Sequence, residues 1–398
     1  MDHQPSLTRR QALTCLGASF LLPLLAACGG GAAVPASSPS AAAKAPAGST
    51  SPAPASASAK PAASASAAAK PAASAAASGT TKPVQKIPFA TGSFNLSASA
   101  SLLAEDKGYL RDAGIELETS LLQSTTQVVD ALVGGNVHFG QPFLGGTILA
   151  AAKNQPVLQI ANFWSRSTIV GVIRKDKLPN GMSSGAFQKL PLNDRVKALK
   201  GLKVGISGVG GLVDVNTRFL VKQAGLDPER DLEIVNVANT PALLAAFKQG
   251  QISSFQGTPP DPQQSVKSDG GIVYFDGPAG EGPSTLSEQA SSGVATTKAW
   301  AQQNPEQVRA FGQAIAKASD FLKSNQDEAI QLLQKRFPKI DADVVADSVK
   351  ILAPAIAPGA QFTAGEIKGA VEFAALGGGL KKDVDSAEGT FWTNRYLK

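Results

Sequence analysis

From residue 87 onward, short β-branched runs alternate with stretches of helical periodicity. Runs at 87–91, 115–121, 137–140, 157–163 and 169–174 read as strands, and helical spacing of apolar positions fills 97–111, 126–133 and 145–153. After a polar stretch around 179–200 a second set begins, with strands at 203–207, 232–237 and 272–275 and helices at 214–224 and 241–249. From 305 the pattern is mainly helical, at 305–324, 326–336, 341–352 and 363–376. Such alternation predicts an α/β fold with mostly parallel sheets flanked by helices, because parallel strands need a crossover that a helix supplies. Two sets imply two lobes, expected at 86–172 plus 293–398 and at 173–292, with the C-terminal helices on the first.

The first 86 residues obey neither period. Arg9-Arg10 precede an apolar stretch, Ala12 to Ala27, that is broken by Gly17, Ser19 and Pro23. It is short for a membrane span and fits the core of an export signal. The stretch closes on Leu25-Ala26-Ala27-Cys28, which resembles the lipobox of bacterial lipoproteins, where the Cys is lipidated and becomes the mature N-terminus. Residues 1–28 are therefore expected to be a lipoprotein signal peptide with Cys28 as the lipidation site. Thr8-Arg9-Arg10-Gln11-Ala12-Leu13 also resembles a twin-arginine motif, with Ala12 where a bulky apolar residue is usual.

Residues 29–85 are almost wholly Ala, Ser, Pro, Gly and Thr, and Ala59-Lys60-Pro61-Ala62-Ala63-Ser64 recurs as Ala69-Lys70-Pro71-Ala72-Ala73-Ser74. With no large side chains to bury, such a segment cannot offset its ordering entropy, so a disordered tether is expected. As a flexible coil it would span about 45 Å.

Charge sharpens this division. Of the net charge of +6, +1 lies in residues 1–28 and +5 in 29–86, leaving 87–398 with 30 basic and 30 acidic residues. A neutral folded part with no Lys/Arg block argues against nucleic-acid binding. The two cysteines, Cys15 and Cys28, both precede it, which excludes a disulfide framework, a Cys-ligated zinc or a thiol nucleophile there. His138 is its one histidine. No metal site, no cofactor and no catalytic set is expected.

Specific residues then line up with a family. Phe89-Ala90-Thr91-Gly92, followed by Ala104-Glu105-Asp106-Lys107-Gly108-Tyr109-Leu110-Arg111-Asp112-Ala113-Gly114-Ile115, resembles the opening of the periplasmic substrate-binding proteins for sulfonates, taurine, nitrate and thiamine-precursor pyrimidines. In the turn, Gly108 and Gly114 reverse the chain and Ile115 starts the next strand. Further matches are Ala131-Leu132-Val133-Gly134-Gly135-Asn136-Val137-His138-Phe139-Gly140, Leu202-Lys203-Val204-Gly205-Ile206-Ser207 and Asn304-Pro305-Glu306-Gln307-Val308-Arg309-Ala310-Phe311. The resemblance covers nearly all of 87–398. It implies a two-lobed, type II periplasmic-binding-protein clamshell that carries a small molecule to an ABC-type permease as a monomer, outside the cytoplasm and held to the membrane through Cys28. The sequence departs from the family pattern at His138 and at Ser253-Ser254, where acids are usual near the cleft. An enzyme on the same fold, chorismate-dehydratase-like or pyrimidine-forming, and a ligand-sensing partner of a membrane receptor are the alternative readings.

In open α/β sheets ligands lie beyond the carboxyl ends of the strands, where helix N-termini aim free N–H groups at them. That rule selects Ser93, Phe94 and Asn95; Ser124 and Thr125; Gln141 and Phe143; Trp164 and Arg166; Ser207, Gly208 and Gly210; and Gln256 and Thr258 as ligand-binding candidates. Opposed helix N-termini favour an anionic or strongly dipolar ligand group, and the resemblance to the pyrimidine-binding members adds a heteroaromatic to the expected ligands. Arg166 is a candidate clamp for a carboxylate or sulfonate. Asp214, early in its helix, would oppose a bound anion. The spacing of Gly205, Gly208, Gly210 and Gly211 does not give a dinucleotide fingerprint.

Overall fold

A computed structural model of the chain describes residues 83–398 apart from 93, 123, 238–239, 379 and 381–382. The expected signal peptide, Cys28, nearly all of the tether and Ser93 lie outside the described residues. Ten strands are described, β1 (Gln85–Thr91), β2 (Ile115–Leu121), β3 (Phe139–Gln141), β4 (Val157–Asn162), β5 (Val170–Arg174), β6 (Lys203–Ile206), β7 (Glu233–Asn236), β8 (Ser254–Gly257), β9 (Gly271–Asp276) and β10 (Gly293–Thr297). They form two five-stranded sheets, ordered β2-β1-β3-β10-β4 and β7-β6-β8-β5-β9. The longer helices are α1 (Ser99–Asp106), α2 (Thr125–Val133), α3 (Leu144–Ala152), α4 (Leu212–Gln223), α5 (Thr240–Lys248), α6 (Asp261–Ser268), α7 (Pro305–Ser324), α8 (Gln326–Arg336), α9 (Ala342–Leu352) and α10 (Ala364–Leu376).

In the first sheet β1 runs parallel to β2 and β3, pairing Phe89 with Thr119 and with Phe139. Strand β10 returns antiparallel between β3 and β4. The second sheet repeats the plan: β6 is parallel to β7 and β8, and β5 lies antiparallel between β8 and β9. Two chain crossings join the sheets, at 163–169 and 277–292. Because β5 bonds into the second sheet, the first crossing precedes it; the expected boundary after 172 falls within the strand. Gln85 already pairs with Ile115, so the sheet takes in the last residue of the expected tether and begins one residue before the expected start of the first lobe.

Each lobe has its own core. In the first, Phe139 stacks on Phe311 of α7 at 4.3 Å between ring centroids, and Phe89 lies beyond at 6.2 Å. Gly140 lets α2 approach, since a Cβ there would sit 2.8 Å from a Val128 methyl. The single helix expected over 97–111 is broken. Gly108, at φ +75°, ends α1 and starts a separate turn, a backbone conformation that costs glycine nothing. In the second lobe Phe187, Leu220, Val221, Tyr274 and Phe275 pack together.

The C-terminal helices are not confined to the first lobe as expected. Helix α7 packs on α1, but Asp343 at the start of α9 pairs with Lys267 of α6 in the second lobe at 2.8 Å. Helix α10 starts in a capping box, with Thr363 Oγ1 accepting from Glu366 N and the Glu366 carboxylate accepting from Thr363 N. Its first turns bury Ile367 and Ala370 against Leu144 and Ile148, and its later turn buries Phe373 in the core of the second lobe.

Candidate functional site

A cleft of about 470 Å³ lies between the sheets. From the first lobe it is lined by Ser124, Thr125 and Thr126 after β2 and by Phe143, Gly146 and Leu149 after β3. From the second come Ser207, Gly210, Gly211, Leu212 and Val215 after β6. The two crossings contribute Ser167, Thr168, Ile169 and Gln289, Ala290, Ser291, while α10 closes one wall with Ala370, Phe373 and Ala374.

Three helices start at this cleft, and sequence explains each. Ser124 caps α2 by accepting from Gln127 N at 3.2 Å. Thr125 Oγ1 accepts from Phe143 N, tying the start of α2 to that of α3. The two starts are packed so closely that a Cβ on Gly146 would lie 2.1 Å from the Thr125 methyl. Leu144 N donates to Ser291 O at 2.9 Å, which fixes α3 to the second crossing. Before α4 the chain turns at Gly208 (φ +115°) and Gly210 (φ +73°), backbone angles that favour glycine. Gly208 N donates to Asn236 Oδ1 and Gly210 N to Asp214 Oδ2. First-turn N–H groups have no acceptor within their own helix, so these starts present positive ends of dipoles to the cleft.

Asp214 does not oppose an anion as expected, because its carboxylate is consumed. One oxygen accepts from Gly210 N and the other pairs with Arg218 Nε at 2.6 Å. No ionisable side chain is among the described residues that line the cleft. A larger depression of about 840 Å³ lies on the outer side of α4, lined only by the second lobe and the end of α10; its Arg218 is held by Asp214 and Glu229.

Of the candidate residues, the fold brings Ser124, Thr125, Phe143, Ser207 and Gly210 to the cleft, with Gly208 in the turn between the last two. The others have different tasks. Phe94 is 46% exposed and sets its ring against Phe337 at 5.4 Å. Asn95 Oδ1 accepts from Ser97 N and Ser97 Oγ, capping a helical turn. Gln141 is buried and accepts from Ser101 Oγ at 3.1 Å. Trp164, 1% exposed, is core, with Nε1 donating to Ser97 O at 2.9 Å. Arg166 donates to Ala279 O at 3.4 Å along the second crossing rather than lining the cleft. Gln256 is buried in the second lobe, accepting from Asn216 Nδ2 and donating to Tyr274 Oη, and Thr258 does not line the cleft. Burial pushes the Tyr274 hydroxyl up to about 12.

His138 precedes β3, and Ser253-Ser254 lie at the start of β8, so both departures from the family pattern fall at the strand ends remote from the cleft. The His138 ring stacks on Trp300 at 3.6 Å, and burial lowers its pKa, favouring the neutral form. Sequence reasoning expects the helix at 363–376 but does not bring it to the cleft, and from the first crossing it selects Trp164 and Arg166 rather than Ser167, Thr168 and Ile169. Gly145-Gly146 inside an expected helix was the readable signal for close packing at the cleft; nothing local marked Thr168 or Phe373.

This architecture, two α/β lobes joined by two crossings around a cleft at the carboxyl ends of their strands, is that of the periplasmic binding proteins. The chain is similar to the alkanesulfonate-binding protein SsuA of Xanthomonas axonopodis pv. citri bound to MOPS (15% identity, 76% of this chain and 96% of that one, TM-score 0.57). It is also similar to a putative sulfonate ABC transporter, periplasmic sulfonate-binding protein SsuA, of Methylobacillus flagellatus KT (17%, 79% and 93%, TM-score 0.59). The nitrate-binding protein NrtA of Synechocystis PCC 6803 is a third likeness (18%, 67% and 70%, TM-score 0.51). A search of curated proteins returned no match. Residues 82–335 match the model of the NMT1-like family, and the chain belongs to that family.

Proposed function

We propose that this protein is the solute receptor of an ABC-type importer, lipid-anchored through Cys28 outside the cytoplasm, and that it captures a small organic anion or heteroaromatic without changing it. The observation that carries the reading is the cleft. Its lining of hydroxyls, backbone groups and apolar side chains, facing three helix starts from two lobes, suits capture of a dipolar or anionic molecule. Membership of the NMT1-like family and the likeness to binding proteins support it. A monomer delivering its cargo to a permease follows from the same reading, with residues 29–85 as the tether.

The test is a thermal-shift screen of the full chain with ethanesulfonate, benzenesulfonate, benzoate, nitrate and cytosine. A bound compound at a hundredfold excess over Kd stabilises the folded state by about 2.7 kcal/mol. It is recovered unaltered, and the particle contracts in X-ray scattering. Turnover of the compound, or no shift with any of the five, refutes the reading. Cys28→Ser should leave the thermal transition in place and release the protein from membranes; retention of the variant there refutes the anchor.

A further inference from the structure

Two hydroxyls stand on the two chain crossings with nothing to bond to. Thr168, on the first crossing, is 1% exposed, and Ser291 lies on the second; both line the cleft. Thr168 Oγ1 and Ser291 Oγ are each shielded from water and each lacks a hydrogen-bond partner. Buried polar groups are paired in most native settings and an orphan is costly; among the described buried side-chain atoms without a partner, Thr168 Oγ1 and Ser291 Oγ are the two whose residues line the cleft, where a ligand can supply the partner.

Their surroundings are otherwise satisfied. Ser167 Oγ accepts from Ile169 N at 3.3 Å, while Ser291 N donates to Trp164 O and Ser291 O accepts from Leu144 N. Ser124 Oγ and Thr125 Oγ1 are engaged by backbone N–H groups. The backbone of the crossings is knitted together, and the two side-chain hydroxyls are what is left over.

We infer that Thr168 and Ser291 are the polar anchors of the ligand, and that the ligand is a monoanionic organic acid whose head lies at the crossings. This rests on the cleft being the receptor's binding site. Both hydroxyls donate to an oxyanion, and the helix starts supply partial positive charge without a lysine or arginine, which suits one negative charge better than two. The apolar body of the acid lies against Leu149, Leu212, Val215 and Phe373. Both oxygens are sealed off in this arrangement. They reach the acid as the lobes turn about the crossings, so gripping the head and rotating the lobes are one event.

The test uses the full chain as wild type, Thr168→Val, Thr168→Ser and Ser291→Ala, with benzenesulfonate and benzoate as probes and phthalate as the dianion. Wild type should bind at least one monoanion, and phthalate at least tenfold more weakly. Thr168→Val and Ser291→Ala should each lose about tenfold in affinity, as expected for one hydrogen bond, with an unliganded thermal transition equal to or above that of wild type. Thr168→Ser should keep the affinity. If the monoanion binds wild type and Thr168→Val equally, or if Thr168→Val melts well below wild type without ligand, the anchor assignment falls while the receptor reading stands. Phthalate binding as tightly as benzoate overturns the charge assignment. Failure of both monoanions overturns the acid assignment, and the receptor reading falls with it only if the wider screen is also blank.

Discussion

Asp261 opens α6, and burial pushes its carboxyl up from 3.8 to about 6. The folded state therefore holds the proton more tightly than the unfolded chain does. Below about pH 4 the acid is neutral in both states and no penalty operates. As pH rises from about 4 to 6 the unfolded chain ionises first, and stability is lost until the folded pKa is passed. A shift of about two units sets a ceiling near 3 kcal/mol at 1.36 kcal/mol per unit. The position at a helix N-terminus favours the carboxylate by about 0.3–1 kcal/mol, leaving about 2 kcal/mol. Asp261→Asn keeps the shape and removes the charge. It should stabilise the protein by about 2 kcal/mol at pH 8, and its advantage should shrink to near zero by pH 4. Urea titrations followed by circular dichroism at pH 4, 5, 6 and 8 measure this. A gain of the same size at pH 4 and pH 8, or a loss at pH 8, would refute the claim that burial of this carboxyl is what costs stability.

Two further changes test the packing that positions the cleft. Gly146→Ala gains about 1 kcal/mol of helix propensity but drives a methyl into Thr125, an overpacking cost of about 1–3 kcal/mol, so the melting temperature should change little or fall slightly. Probe affinity should fall more than stability, because α2 and α3 are pushed apart; isothermal titration showing wild-type affinity would disprove the coupling of the two starts. Arg195 is buried in the second lobe, pairs in fork geometry with Glu281 and donates to Leu190 O. Arg195→Ala should cost about 2–4 kcal/mol in urea, part of which Arg195→Met with Glu281→Gln restores; equal losses in both would assign the effect to packing rather than to an unpaired charge.

The strands legible in the sequence are those whose own residues favour extension: Ile87, Phe89 and Thr91 on β1, and Val157, Leu158 and Ile160 on β4. Strands β8 and β10 were not expected, and each is short and buried over most or all of its length. Ser254-Phe255-Gln256-Gly257 has little intrinsic preference and is extended because β5 and β6 flank it, with Ser254 Oγ donating to Val172 O. Pairing order is likewise absent from local pattern, which is why β5 was expected in the wrong lobe. The rule that ligands sit beyond strand ends put Ser124, Thr125, Phe143, Ser207 and Gly210 on the cleft wall. It failed for Trp164 and Gln256 because the rule gives the end of a strand and not the direction of a side chain. Trp164 turns inward to Ser97 O, and Gln256 faces α4 and β9.

Helix α10 changes what lobe motion can be. Two crossings alone would leave the lobes free to turn about both, yet α10 is a third link, with Ile367 and Ala370 anchored beside α3 and Phe373 in the core of the second lobe. It is also held against the second crossing, since a Cβ on Gly369 would stand 2.2 Å from Glu288 O, a backbone atom that cannot swing aside. Opening the cleft along the α10 wall would expose Phe373 and break that contact, at a cost of about 1.5–3 kcal/mol for the ring alone. Rotation that leaves α10 in place carries no such penalty. Opening on the side away from α10 spares Phe373 and breaks instead the exposed Asp343–Lys267 pair between α9 and α6, a smaller loss, so the α10 wall is the costlier side to open.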